Sequence, residues 1–301
     1  MSNGKDSGMK LSEECSLVKL SMGMFGQRKT RKDLSDGTAQ QHQADPKKFK
    51  TTIDAMGSEE VKELKNIQVR ARNEFNDLSL AWDVYRIAKN LKTDELEKIA
   101  SDCKIDCEQQ VEKVCDKLPA WIEEQRIALG SAFREEDYPT ADEIRSKVYV
   151  EYDIKLVPDP EHDPRAGITA AQRERFRSLV ATQEKEKFAH SLESLGSIMT
   201  ETIGGFKEAM DGYTGQKKGS FRDVTVTKVD ALLKKVKDLN IGNDPLVESV
   251  RQQILKDLAH MNPETLRVDE KIRKDASKKA DDILDRIGHF GQMAPPATDN
   301  Y

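Results

Sequence analysis

The cysteines are the first residues whose spacing could support chemistry. Cys103 and Cys107 lie one helical turn apart, and Cys115 lies two turns further on. Two thiolates at this spacing could bind one metal ion, but the sequence around them lacks histidine and the paired-cysteine pattern of structural zinc sites. All three also fall on or beside an apolar stripe, where free cysteine packs as a small hydrophobic residue. We therefore predict core cysteines, no metal site and no cofactor.

A second set of candidate ligands lies in a proline-rich segment. Asp159, Glu161, His162 and Asp163 offer three carboxylates and one imidazole within five residues. Their spacing does not match a calcium-binding loop and lacks the glycine that allows the turn of such a loop. The interleaved prolines cannot donate to a strand ladder, so a solvated linker is the simpler interpretation.

Sequence motifs of the common enzyme classes are absent. The chain has no phosphate-binding loop, no dinucleotide-binding glycine pattern and no serine-hydrolase elbow. His42, His190, His260 and His289 are scattered, without a nucleophile or carboxylate at a motif distance. We therefore predict no catalytic residue and a protein that is not an enzyme. A site assembled from residues far apart in sequence stays open, because a single chain does not reveal it.

Seven basic residues gather in one polar segment: Arg28, Lys29, Arg31, Lys32, Lys47, Lys48 and Lys50. Such a cluster could neutralise several nucleic-acid phosphates by counterion release. Phe25 and Phe49 could stack on bases, although two aromatic residues are thin evidence. The net charge of −5, from 49 basic and 54 acidic residues, does not call for nucleic acid. A solvated arm is the simpler interpretation, and nucleic-acid binding is the alternative.

The most extended apolar pattern lies in the second half of the chain. It predicts a long helix from Ala170 to Asp211 that a further helix follows in a hairpin. A stripe at helical spacing can pack within the molecule or against a partner helix. Intramolecular packing is the default, and self-association as a coiled coil is an alternative. Four residues are our candidate partner-binding stripe: Leu192, Leu195, Met199 and Ile203.

Periodicity along the chain predicts a mainly helical α+β protein. Residues 148–156 alternate apolar and polar side chains, as a half-buried strand does, and residues 18–24 alternate more weakly. Apolar residues from Leu96 onward recur at spacings of three and four, which predicts an amphipathic helix from about Thr93. Pro119 is expected to begin a second helix after it.

The predicted organisation is a mixed domain followed by a long helical hairpin or bundle. Its segments are a flexible N-terminus (1–14), a mixed α+β domain (15–157) with a flexible basic segment (27–57), a Pro/Asp-rich linker (158–168), a helical hairpin or bundle (169–288) and a flexible tail (289–301).

Composition bears on where the protein works. No run of about 18 apolar residues occurs, and residues 1–10 form no apolar signal core, which argues against a membrane span and against secretion. Four cysteines without a secretory signal favour reduced thiols. We therefore expect a cytoplasmic protein without membrane contact.

Three segments resemble a family of functionally uncharacterised phage and bacterial proteins. They are Leu17 to Phe25 with the basic residues up to Lys32, Phe75 to Tyr85 (FNDLSLAWDVY), and Glu136 to Val157 (EDYPTADEIRSKVYVEYDIKLV). Together they cover most of residues 15–157. The family has no established activity, so the resemblance implies no catalytic residues. Its members are often encoded near an AAA+ ATPase like those of cobalt chelatases, which implies an adaptor or substrate role in a remodelling machine, in the host cytoplasm if the protein is phage-encoded.

These observations lead to a functional hypothesis with one alternative. The leading hypothesis is a non-enzymatic, phage-type interaction protein with a protein partner, such as an AAA+ ATPase that it serves as adaptor or substrate. The alternative is a nucleic-acid-binding protein that uses the basic arm. A role as a virion component stays open.

Overall fold

The computed structural model describes residues 11–159, 169–213, 223–288 and 290. Helices make up 71% of it, and four strands form a small antiparallel sheet, so the predicted mainly helical α+β class is confirmed. The helices are α1 (Leu11–Glu14), α2 (Lys32–Gln41), α3 (Glu59–Asp77), α4 (Thr93–Leu129), α5 (Ala141–Lys147), α6 (Ala170–Asp211), α7 (Asp223–Leu239), α8 (Pro245–Asp257), α9 (Pro263–Val268) and α10 (Glu270–Ile287).

In the described part of the chain, six short strands form two sheets. They are β1 (Cys15–Met22), β2 (Arg28–Thr30), β3 (Thr52–Asp54), β4 (Leu80–Trp82), β5 (Tyr85–Lys89) and β6 (Val150–Leu156). The larger sheet has the order β4-β5-β1-β6, and β2 pairs with β3 in the smaller one. In the larger sheet β1 and β5 are antiparallel, with Cys15 opposite Lys89 and Val18 opposite Arg86. The alternating pattern at 148–156 thus corresponds to β6, an outer strand.

Short sequence signals fix several helix ends. Before α5 the Thr140 hydroxyl accepts from the Glu143 N–H, and the Glu143 carboxylate accepts from the Thr140 N–H. Thr169 and Gln172 form the same reciprocal cap before α6. The expected break at Pro119 is wrong, because α4 continues through it. Burial of Leu118 just before the proline helps to offset the lost backbone bond, a loss of about 3 kcal/mol.

The chain forms two compact units that differ from the predicted domains. Unit 1 comprises Met1–Lys19, Asn76–Thr93 and Ile154–Tyr301, and unit 2 comprises Leu20–Phe75 and Asp94–Asp153. The boundary therefore passes through β1 and β6, whereas the sequence pattern placed it at 158–168. Each unit combines segments that are distant in sequence, which periodicity cannot show. Parts of four predicted segments lie outside the described residues: 1–10, 160–168, 214–222, and 289 with 291–301.

Each unit has its own apolar core. In unit 1, α6 packs against α10 and α7, and apolar side chains of α8 and the β4–β5 hairpin complete the core. In unit 2, one face of α3 packs with one face of α4, together with Ile144 of α5 and Val150 of β6. The amphipathic stripe predicted from Thr93 onward is the face of α4 that builds this second core.

Residues 27–57, predicted to be a flexible basic segment, contain regular structure. They hold β2, α2, a single 3-10 turn at Pro46–Lys48, and β3. The Arg31 backbone N–H donates to the Thr51 carbonyl, and the Arg31 side chain is 4% exposed. The polar composition indicated a loop, but burial of this arginine fixes the segment within unit 2.

Candidate functional site

The predicted partner-binding stripe lies in the core of unit 1. Leu195, Met199 and Ile203 are fully buried, and Leu192 is 9% exposed. They belong to the same apolar cluster as buried side chains of α7 and α10. The assignment of these four residues to a partner surface is therefore wrong, because the later helices return along the stripe and cover it.

The first three basic residues, Arg28, Lys29 and Arg31, are each paired with a carboxylate. The Arg31 guanidinium is 2.6 Å from the Asp137 carboxylate and 2.7 Å from that of Asp33. Lys29 lies 3.2 Å from Asp137 and also donates to the Glu136 carbonyl. These carboxylates neutralise the arm locally, and the hydrogen bond from Arg31 holds the pKa of Asp33 well below its usual range. Arg28 lies 3.2 Å from Asp54 at the surface.

The other basic residues of this segment are exposed. Lys32 begins α2, Lys47 and Lys48 lie in the 3-10 turn, and Lys50 follows it. Beside them the rings of His42 and Phe49 stack with their centroids 6.2 Å apart. The structure thus divides the predicted cluster into a neutralised part at 28–31 and an exposed part at 47–50.

All four cysteines are free and buried. The Sγ atoms of Cys103 and Cys107 are 3.9 Å apart on successive turns of α4. Within the described residues no three His, Cys, Asp or Glu side chains are arranged to hold a metal ion. Asp159 is described, whereas the other acidic-linker candidates, Glu161, His162 and Asp163, lie outside the described residues.

Unit 2 carries an open groove beside β6, which we call the β6 groove. One wall is the face of α4 from Lys104 to Glu112, and the other comprises Arg145 and residues 148–151. Its volume of about 400 Å³ falls in the range of ligand-binding clefts. Val111, Val148 and Val150 provide its apolar surface, and charged side chains stand at its rim.

The chain holds this wall in place through a close approach at Gly23. The Gly23 N–H donates to the Tyr149 carbonyl, at 2.9 Å. The Tyr149 ring lies directly over Gly23, where a Cβ atom would be 2.2 Å from the ring. A glycine is therefore needed for this packing, which positions the Tyr149 ring at the groove.

Strand β6 presents a free edge in unit 2. It pairs only with β1 in the described sheet, at the end of the strand order. The Tyr149 carbonyl, one residue before β6, accepts from the Gly23 N–H, one residue after β1, and the backbone groups of successive residues in an extended chain point to opposite edges. The N–H and C=O groups of Val150 and Tyr152 consequently point to the outer edge, which is available for a further strand.

The charged side chains that line the groove are three carboxylates, Glu108, Glu112 and Glu151, and two cations, Lys104 and Arg145. Arg145 donates twice to the Glu112 carboxylate, at 2.9 and 2.7 Å, and lies 3.3 Å from Asp142. This pairing lowers the pKa of Glu112 below its ordinary value. Lys104, Glu108 and Glu151 also line the groove, and Lys104 and Glu108 lie one helical turn apart on α4.

The acidic character continues along β6. Burial raises the pKa of Tyr152, and the negative charges of Glu97 and Asp94 raise it further. These two carboxylates therefore lie within electrostatic range of the strand.

Sequence reasoning identified the elements of this groove but not the groove itself. The stripe on α4 and the strand at 148–156 were both predicted, yet nothing in either pattern places them side by side. A usable signal was the excess of Glu and Asp over Lys and Arg on the polar face of α4.

Comparisons with known proteins give no relative. No protein-family model, curated protein or solved structure matches this chain. Among the described helices none is both long and apolar enough to cross a membrane.

Proposed function

We propose that this protein is a non-enzymatic interaction protein that binds a protein partner in the β6 groove. The observation that carries the proposal is a groove of about 400 Å³ bordered by a strand whose outer edge is unpaired in the described sheet. Unpaired strand edges are recurrent sites of protein association, and folded proteins usually cover or blunt them. The groove replaces the α6 stripe as the candidate binding surface.

The adaptor hypothesis predicts the class of protein to which the partner belongs. Resemblance to proteins encoded near an AAA+ ATPase supports a role as adaptor for, or substrate of, such a machine, in the cytoplasm of a host cell. Under this hypothesis the ATPase, or a protein delivered to it, occupies the β6 groove.

A steric block tests the proposal. Glu108 is exposed on α4 and lines the groove, so Glu108→Trp should fill the groove without touching the core. Glu124 is also exposed on α4 but does not line the groove, so Glu124→Trp is the matched control. The tagged wild-type chain and both variants are used for affinity capture from the cells that encode the protein, after nuclease treatment.

We expect a stoichiometric protein that binds the wild type and the Glu124 variant and is lost from the Glu108 variant. An AAA+ ATPase in that position would support the adaptor role. Equal capture by all three chains would refute binding in the groove.

Nucleic-acid binding is a second candidate, favoured by the exposed lysines beside the His42–Phe49 stack. Proteins bind single-stranded nucleic acids by combining exposed cations with aromatic rings on which the bases stack. Binding of a fluorescent oligonucleotide should weaken steeply with salt, and replacing Lys47, Lys48 and Lys50 by Gln should flatten that dependence. Replacing Arg31 is a poorer test, since its ion pair with Asp137 is buried and its loss should destabilise the fold.

A further inference from the structure

We propose that the β6 groove binds an extended basic peptide segment of a partner protein, which adds to β6 as a further strand. This inference rests on the proposed function, because it specifies the partner of the same groove.

The first step concerns the backbone. Val150 and Tyr152 point their N–H and C=O groups away from β1, so two residues of β6 within unit 2 can exchange hydrogen bonds with an incoming strand. Such a strand would lie about 4.8 Å from β6 along the outer edge of the sheet, next to residues 148–151, which line the groove. A peptide that binds in this way is recognised mainly through hydrogen bonds to its backbone. This mode requires an extended segment rather than a helix.

The second step concerns the side chains of the peptide. Alternate residues of an extended chain point to opposite faces, so every second side chain would enter the groove. The apolar lining it meets there is provided by Val148 and by the small exposed parts of Val111 and Val150, which favours a small branched apolar residue such as valine or isoleucine.

The third step concerns charge. The Arg145 cation is already paired with Glu112 and Asp142. The other charged side chains of the lining are Glu108, Glu151 and Lys104, which leaves one negative charge in excess, and the charges of Glu97 and Asp94 act on Tyr152 of the strand. A peptide with lysine or arginine next to its apolar residue is complementary to this rim, whereas an acidic peptide would be repelled.

A displayed library of random ten-residue peptides, selected against the full-length chain, tests the inference. We expect enrichment of sequences that combine Lys or Arg with Val or Ile. For a selected synthetic peptide, fluorescence anisotropy should show the dissociation constant rising about tenfold in Glu108→Lys. The control Glu124→Lys carries the same charge change on α4 outside the groove and should change affinity by less than about twofold.

Methylation of single peptide nitrogens tests the added strand. In strand addition only every second peptide N–H points to β6, so N-methylation should abolish binding at alternate positions and be tolerated between them. Binding that is insensitive to N-methylation at every position would overturn the strand geometry.

Three outcomes separate this inference from the proposed function. Selection of neutral or acidic peptides that Glu108→Trp still blocks would overturn the basic partner and leave the groove as a binding site. Peptides or proteins that bind Glu108→Trp as well as the wild type would overturn both. A concentration-dependent dimer that Glu108→Trp dissociates would show that a second copy of this chain occupies the edge, which also overturns the basic peptide.

Discussion

Two apolar regions of this molecule, the α6 stripe (Leu192, Leu195, Met199 and Ile203) and the β6 groove, differ in sequence pattern and in what covers them. Leu195, Met199 and Ile203 are covered within unit 1. In unit 2, Tyr149 is 47% exposed at a groove that no described side chain fills. The stripe is the stronger pattern, and it is the one that later elements bury. The strength of an apolar pattern therefore does not identify a binding surface; the path of the remaining chain does.

The largest effect should come from shortening a buried residue of the stripe. Leu195→Ala removes a fully buried side chain and leaves a cavity, so we expect the free energy of unfolding to fall by about 2–5 kcal/mol. Urea titration followed by circular dichroism measures the change. Leu179 is 52% exposed on the same helix, and Leu179→Ala should change stability by less than about 0.5 kcal/mol. Equal effects would contradict the assignment of the stripe to the core.

A second large effect should come from the buried ion pair of unit 2. Arg31→Met leaves the Asp137 carboxylate, 4% exposed, with only Lys29 as a cationic partner. We expect a loss of about 3 kcal/mol, because breaking a buried pair leaves an uncompensated charge. Thermal unfolding of Arg31→Met is compared with that of Lys48→Met, which removes an exposed cation. Similar melting temperatures for the two variants would show that residues 28–31 form a solvated basic arm.

Replacing Glu184, which lies beside the α6 stripe, should have a smaller effect on stability, and this effect should depend on pH. Glu184 lies two turns before Leu192 on the same face of α6, where burial and then Asp159 raise its pKa to about 7. Because the folded-state pKa lies above the ordinary value of 4.5, the charged form is disfavoured in the folded state. The wild type should therefore lose stability relative to Glu184→Gln as the pH rises from 4.5 through 7.

The measurement is the difference in melting temperature between wild type and Glu184→Gln at pH 4.5 and pH 8. It should be small at the lower pH and favour the variant at the higher pH. A difference that does not depend on pH would show that Glu184 titrates normally.

The smallest effect on stability should come from the groove itself. Glu108 is exposed, so Glu108→Trp should change the free energy of unfolding by less than about 0.5 kcal/mol while it abolishes partner binding. Loss of binding without loss of stability is the opposite of the expectation for Leu195→Ala, where stability falls first. If Glu108→Trp unfolds the protein instead, this side of α4 contributes to the stability of the fold, as the α6 stripe does.

The local sequence determined much of the secondary structure. Thr140 with Glu143 and Thr169 with Gln172 fixed two helix starts, since each pair satisfies its own backbone donors within four residues. The alternation at 148–156 likewise depends only on neighbouring residues, because side chains of a strand alternate between its faces. Such signals can be recognised in the sequence because the residues that determine each helix end or strand lie within or next to it along the chain.

Only the tertiary structure decided which surfaces are open. Arg31 meets Asp137 across 106 residues, and this contact converts an apparent basic arm into part of a folded unit. The groove likewise requires α4 and β6 to lie side by side, and neither of their sequence patterns indicates that they do. Charge neutralisation, coverage of the α6 stripe and the unit boundary within β1 and β6 all depend on contacts between distant segments, which composition and periodicity do not specify.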